Sequence, residues 1–339
     1  MILLDSLELN ATKRRPVWIM RQAGRYLSTY QEFRKKYSFD DFCSQPELAV
    51  QLSLLPLKRY ELDAAIIFSD ILIPLRAFGV KLEFTEKGPE LSAPQSKKEL
   101  ENLPQHFDPK IHTPTILQSL KELRKSVDPA KAVLGFSGAP FTMLAYMLEG
   151  KLTKDLSIIK KWMAQEPKLV HQWLGVLAKA MGDYLEAQVS AGADAVQVFD
   201  TWASQLSPQD FEKFALPYAR QVISAVPAPC VYYVNGVAGL FEELGAVGAQ
   251  AISVDWRVSL KEVRSRLSPV IAVQGNLDPY CLLRSRQEIR DSVFRMCDDY
   301  GRGPGHIVNL GHGIVPSVPE EGVEWMISAV QEWSASALS

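Results

Sequence analysis

The sequence predicts an α/β protein, a single (β/α)8 barrel over residues 1–339, on three observations. Eight short β-prone runs recur along the chain, at 17–20, 64–68, 132–136, 195–199, 230–234, 251–255, 271–274 and 306–310. Most are near-continuous apolar runs, as expected of strands buried on both faces of a parallel sheet. Helical patterns separate them and no G-x-G-x-x-G follows the first run, which favours a closed barrel over a doubly wound sheet.

The helices announce themselves by spacing and caps. Leu169, Val170, Trp173, Leu174, Val176, Leu177, Met181, Tyr184 and Leu185 recur at helical spacing, and Gly192 follows as a terminator. Ser207 and Pro208 supply an N-cap and a first-turn proline, with Asp210 in the first turn. Ser259 and Glu262 form a capping-box pattern, as do Ser317 and Glu320 before the last helix. Asp278 and Pro279 open the helix after the seventh run. The polar stretch 86–108, with Gly88-Pro89, Ala93-Pro94 and Leu103-Pro104, is read as a surface excursion rather than a domain boundary.

Composition narrows the function. A chain of 339 residues buries a large core, and its net charge of −2 does not favour a nucleic-acid groove. No apolar run approaches the roughly 18 residues needed to cross a bilayer. The first ten residues carry Asp5 and Glu8 with no basic region, so neither a secretory signal nor a transit peptide is read there and the cytoplasm is expected. Cys43, Cys230, Cys281 and Cys297 form no C-x-x-C and have no histidine at ligand spacing, so reduced, buried thiols are expected and no metal site.

A barrel places its chemistry at the C-terminal ends of its strands. Those positions hold Arg21 and Arg25, then Ser69-Asp70, Ser137-Gly138, Asp200-Thr201, Asn235-Gly236, Asp255, Gly275-Asn276 and Gly311-His312-Gly313. The most informative stretch is Met20-Arg21-Gln22-Ala23-Gly24-Arg25-Tyr26, with two guanidinium groups four residues apart beside a glycine. Arginine grips a carboxylate through a planar two-bond fork, so the pair points to a ligand carrying several carboxylates. An aspartate can accept from N–H donors or balance a cationic intermediate, and a histidine can bind carboxylate or move a proton.

These residues also carry a resemblance. Arg15-Pro16-Val17-Trp18-Ile19-Met20-Arg21-Gln22-Ala23-Gly24-Arg25-Tyr26-Leu27 resembles the N-terminal signature of the uroporphyrinogen decarboxylase family. Ile67-Phe68-Ser69-Asp70-Ile71-Leu72 resembles its aspartate strand end, and Gly135-Phe136-Ser137-Gly138-Ala139-Pro140-Phe141-Thr142, with Tyr146 beyond, its second signature. Asn309-Leu310-Gly311-His312-Gly313-Ile314 resembles its histidine loop, so the likeness runs in order along nearly the whole chain. The resemblance implies a homodimeric barrel, without cofactor or metal, that removes four carboxyl groups from uroporphyrinogen III. It implies that Asp70 meets the pyrrole N–H groups, and that Arg21 and Arg25 hold carboxylates, one of them delivering or orienting the proton. Gln22, Ala23, Gly24, Arg34, Tyr146, Thr201 and His312 are the further substrate contacts it implies.

Two positions depart from the family pattern. Thr201 stands where serine is usual, keeping the hydroxyl but stiffening the side chain. Ser28-Thr29 stands where Pro-Glu is usual and is expected to loosen the turn. Two alternatives remain open: a corrinoid-linked methyltransferase, which needs a zinc–thiolate site, and a tetrapyrrole carrier on a decayed scaffold, which would lack the aspartate or an arginine.

Overall fold

The computed structural model describes residues 1–85, 88–151, 155–236 and 239–338. Its strands are β1 (Ala64–Ile66), β2 (Leu82–Thr85), β3 (Gly88–Leu91), β4 (Ala132–Gly138), β5 (Ala195–Phe199), β6 (Cys230–Tyr233), β7 (Ala251–Ser253), β8 (Ala272–Gln274) and β9 (His306–Ile307). Among the described residues, β1 and β4 to β9 form one seven-stranded sheet in that order, with every pairing parallel. At the start of the expected excursion at 86–108, β3 pairs antiparallel with β2, apart from the parallel sheet.

The first expected strand, 17–20, is a correction. It is not a strand of this sheet and makes a single parallel bridge, Val17 with Val308. Hydrogen bonds nevertheless tie it to both edges of the sheet. Val308 N–H donates to Pro16 O at 2.9 Å, Trp18 N–H to Val308 O at 3.3 Å, and Asp63 N–H, just before β1, to Val17 O at 2.8 Å. The Asp63 carboxylate accepts from Val17 N–H at 2.7 Å and from both arms of Arg14 at 2.7 and 2.6 Å.

Two apolar clusters explain why the strands read as continuous runs. Val133, Val196, Val198, Ile252 and Val273 point into the larger cluster, beneath the helices. Their neighbours Ala132, Leu134, Ala195, Ala251 and Ala272 point into a second, inner cluster. Successive side chains of a strand face opposite ways, so both parities must be apolar when both faces are buried. The alanines leave an inner space that Trp18 and Met20 help to fill, together with Leu3 and Leu7 of the first helix, Ile2–Leu7. A buried polar layer lies among them. Gln274 accepts from the Trp18 indole at 2.8 Å and donates to Gln197 and Ser253 at 2.9 Å each. Every partner in that layer is satisfied, which holds the 17–20 segment in register.

Helix ends follow the expected caps in part. Ser207 caps Pro208–Phe214 through Asp210 N–H, and Ser259 caps Leu260–Arg266 through Glu262 N–H. The long amphipathic pattern is one helix, Pro167–Ser190. Asp278 caps only a short 3-10 turn, Pro279–Leu283. The main helix, Arg286–Tyr300, has its own capping box at Ser285 and Glu288. The last helix, Glu320–Ala337, takes no cap from Ser317. Glu320 instead accepts from Ser28 N–H at 2.8 Å and Ser28 Oγ at 2.7 Å, so the Ser28-Thr29 turn is tied down rather than loosened.

Candidate active site

The site is built on the ends of the strands, and its first wall is the Arg21 turn. Gln22 N–H bonds Ile19 O at 3.0 Å, and Arg21 takes a left-handed φ of 64°. Met20 N–H donates to the buried Asn309 side chain at 3.0 Å, and Ile314 N–H donates to Met20 O at 3.0 Å. The turn is thereby clamped to the loop that carries His312. Gly313 completes the fit, because a Cβ there would collide with the Arg21 stem. Arg21 and Arg25 are both exposed. Among the described residues neither guanidinium has an ion pair or a hydrogen-bond acceptor, so both forks are unspent.

Gln22, an expected substrate contact, has its side chain turned to the backbone. It is fully buried; its amide donates to Ala64 O at 2.9 Å and accepts from Ile19 N–H at 3.2 Å. Both ends of the side chain serve the backbone, out of a ligand's reach. Ala23 and Gly24 are partly exposed on the same turn, and a Cβ on Gly24 would come within 2.8 Å of Arg21 O.

Asp70 follows β1, partly buried, and its Oδ1 accepts from Leu72 N–H at 2.9 Å. Desolvation pushes its carboxyl above the ordinary range, against the Leu72 hydrogen bond and the charges of Arg21 and Arg76. Tyr146 lies on the helix Pro140–Glu149 that starts directly after β4. Burial raises its phenol, and it feels both Asp70 and Arg21. Its ring meets Trp202 edge-on at 6.0 Å. Thr201 is partly exposed beside Trp202.

His312 is held low by burial first and by Arg21 next, so its imidazole is neutral at pH 7. A run of edge contacts links Phe136 to Phe199 at 5.9 Å, Phe199 to Tyr233 at 5.9 Å and Tyr233 to His312 at 6.3 Å. The result is an aromatic floor, with Arg21 and the carboxyls of Asp70 and Asp255 acting on the phenols and the imidazole around it. Arg25 and Arg34 lie further out and, with Gln31, Lys35 and Pro316, line an open depression of about 460 Å³. Arg34 is exposed, donates to Tyr37 O at 3.0 Å and lies 5.6 Å over the Phe42 ring.

Asp200, also at a strand end, is fully buried and accepts from Thr142 at 2.7 Å and Tyr232 at 2.6 Å. Burial pushes it up to about 6. Its bonds tie the loop after β5 to the Tyr146 helix, which is a structural task. Among the described residues no group of three or more His, Cys, Asp or Glu is arranged to hold a metal ion. No helix among them is long and apolar enough to cross a membrane. The four cysteines are free and buried.

A profile of the uroporphyrinogen decarboxylase (URO-D) family matches residues 2–333. The chain belongs to the uroporphyrinogen decarboxylase family. A uroporphyrinogen decarboxylase of Gloeobacter violaceus is 41% identical over 97% of this chain and 96% of its own. One of Trichormus variabilis is 43% identical over 94% and 93%. This chain is accordingly a carboxy-lyase of porphyrin biosynthesis. A solved methyltransferase of Methanosarcina mazei superposes with a TM-score of 0.84 over 98% of this chain and 97% of that one, at 21% identity. A B12-independent methionine synthase of Shewanella reaches 0.57 at 12% identity over 88% and 89%. At those identities the likeness is one of fold.

Relative to the family signatures, the structure gathers Arg21, Asp70, Tyr146 and His312 into one electrostatic neighbourhood, since Arg21 acts on the titration of the other three. The residues that sequence reasoning missed are aromatic or come from β7. Tyr233 sits inside an apolar strand run and gives no signal of its own, Trp202 follows Thr201 without being among the expected contacts, and Arg257 was passed over although it lies two residues beyond Asp255, where the strand-end rule points.

Proposed function

We propose that this cleft binds uroporphyrinogen III and converts its four acetate arms to methyl groups, giving coproporphyrinogen III and four molecules of carbon dioxide. The observation that carries the reading is the pairing of two unspent arginines with a partly buried carboxyl over an aromatic floor. The substrate is a flexible macrocycle with eight carboxylates and four pyrrole N–H groups, and it needs that combination.

The chemistry follows from the arm and the ring. Protonating a pyrrole carbon makes the ring an electron sink. The acetate C–C bond then breaks, its electron pair moves into the ring, and carbon dioxide leaves. A proton added at the exocyclic carbon gives the methyl group, and the ring gives its own proton back. The net step consumes one proton per carboxylate lost.

Asp70 accepts pyrrole N–H bonds and offsets the positive ring, an electrostatic role worth a few kcal/mol where donors and charge are preorganised. Arg21 and Arg25 grip acid arms. Ala23 and Gly24 border them, with Arg34 at the outer edge. Neutral His312 donates one hydrogen bond to a carboxylate, and Tyr146 and Thr201 offer hydroxyls from the opposite wall. A guanidinium stays protonated to a pH above about 12, so arginine positions a proton carrier better than it acts as one.

The architecture of this reading is one domain, closed as an eight-stave barrel. The 17–20 segment supports closure, being bonded on one side to Val308 and on the other to Asp63, with Trp18 and Met20 in the inner cluster. A homodimer accompanies it. The exposed Trp256, Tyr280 and Leu283, on loops after β7 and β8, are suited to a partner copy. Free buried thiols fit a reducing cytoplasm.

The test is anaerobic turnover of uroporphyrinogen III beside Asp70→Asn, with oxidised products separated by carboxyl number. Stepwise appearance of seven-, six-, five- and four-carboxyl porphyrins is expected. In the variant the rate is expected to fall by about 100-fold or more. Equal rates in the two proteins would remove Asp70 from the mechanism, and binding without turnover would favour a carrier.

A further inference from the structure

We propose that Arg257 is a further carboxylate-gripping arginine of this cleft, holding an acid arm of the macrocycle that Arg21, Arg25 and Arg34 do not reach. The inference rests on the substrate reading above. Arg257 follows β7, four strands along the sheet from β1, whose end carries Asp70.

Its setting is a built one. Asp255, with no exposed surface, accepts from Gly236 N–H and from Arg257 N–H at 2.9 Å, and its Oδ1 pairs with the Arg257 guanidinium at 3.0 Å from Nε. Arg257 Nη2 donates to Asn235 Oδ1 at 2.5 Å, and the guanidinium lies 5.1 Å over the Trp256 ring. The ion pair holds the Nε side against Asp255, and one Nη2 hydrogen is spent on Asn235. The outer hydrogens on Nη1 and Nη2 meet no acceptor among the described residues, and the side chain is 52% exposed. A guanidinium fixed on one edge and open on the other is a carboxylate fork that has already lost its conformational freedom.

That fork belongs to the same mouth. The charge of Arg257 acts on both His312 and Tyr233. The segment is pressed against the histidine loop so closely that a Cβ at Gly311 would come within 2.6 Å of Trp256 N. A ring substituted with acids around its whole rim needs counter-charge on more than one side. Arg21 and Arg25 come from a single turn and supply one side only. The competing role for Arg257 is to neutralise the buried Asp255 and nothing more.

The experiment separates the two. Arg257→Gln is compared with wild type and with Asp255→Asn/Arg257→Gln, in which no buried charge is left to neutralise. Steady-state constants for uroporphyrinogen III are measured alongside a fluorescence titration with coproporphyrin, which needs no turnover. Losing a charge-assisted fork is expected to raise KM and the porphyrin Kd about tenfold, with kcat within about twofold. The increase is expected to persist in the double variant and to shrink as salt is added. Arg257→Lys keeps the charge beside Asp255 without the fork, and is expected to fold and still bind more weakly than wild type. KM and Kd equal to wild type in every variant, with only thermal stability lost in Arg257→Gln and restored in the double variant, would overturn the proposal. Wild type that binds coproporphyrin but does not turn over would defeat the activity reading, while the Kd comparison still decides Arg257. Wild type that does neither would overturn both.

Discussion

At the scale of single residues, burial decides which ionisable groups are chemical and which are structural. Asp70 and Asp200 both lie beyond the C-terminal end of a strand and both have their carboxyl raised by desolvation. Asp200 has spent both oxygens on Thr142 and Tyr232, whereas Asp70 gives one oxygen to Leu72 N–H and faces Arg21 and Tyr146. His306 and His312 divide in the same way. His306 is fully buried on Tyr300, bonded to Gly275 O, and depressed to about 3. Between pH 6.5 and 3 the unfolded chain takes up a proton at this imidazole that the folded chain refuses, so His306 removes stability as pH falls. Asp200 acts oppositely, because its folded pKa of about 6 lies above the unfolded 3.8, and between those values acid favours the fold. Each slope is about 1.4 kcal/mol per pH unit. Relative to wild type, His306→Gln is expected to gain stability on acidification from pH 6 to 4 and Asp200→Asn to lose it, read from urea midpoints. Parallel curves for all three proteins would refute both assignments.

At the scale of elements, the site depends on how loops are pinned rather than on what they carry. The Arg21 turn is fixed by Gln22 to Ala64, by Asn309 to Met20, and by the bare face of Gly313. Gly313 has no left-handed backbone requirement, so Gly313→Ala strains nothing except the Arg21 stem. Displacing a positioning group by about 1 Å costs on the order of 100-fold in rate. We expect kcat/KM to fall by roughly that factor with the melting temperature nearly unchanged; a variant as active as wild type would show that Arg21 needs no such seat. The signature made the arginines legible as a pair, but nothing in the string said that Gln22 points inward. Its spacing from Arg21 is the same whether the turn faces the ligand or the core. Thr201 and Arg34 are similarly placed by sequence on the right loops, with their partners set by packing.

At the scale of the whole molecule, the question is what joins the two edges of the parallel sheet. The edges are β1 and β9, and the 17–20 segment lies hydrogen-bonded between them. Asp63 is the fastening. It is 4% exposed, pairs with both arms of Arg14 and accepts Val17 N–H. Removing one member of a buried ion pair costs about 3 to 5 kcal/mol, and Arg14 is 36% exposed, so screening reduces the expectation for Asp63→Ala to about 2 to 3 kcal/mol. The loss should appear in chemical denaturation, and it should be accompanied by weakened turnover, because the freed segment carries Arg21. A stable variant with normal activity would mean that the edges are held by the inner packing of Trp18 and Met20 alone.

The amino-acid string by itself determined the α/β class, the seven sheet strands, the long helix Pro167–Ser190 and the segments after the strands that bear Arg21, Asp70, Tyr146 and His312. These follow from local physics: two-sided burial writes continuous apolar runs, and caps and helical spacing write their own signals. Tertiary structure alone decided that 17–20 pairs through one bridge and not as a strand, that Ser28 is tied to Glu320, that Gln22 faces inward and that Arg257 stands at the mouth. Each of those depends on contacts between residues far apart in the chain, where no local period or propensity records which partner a side chain will meet.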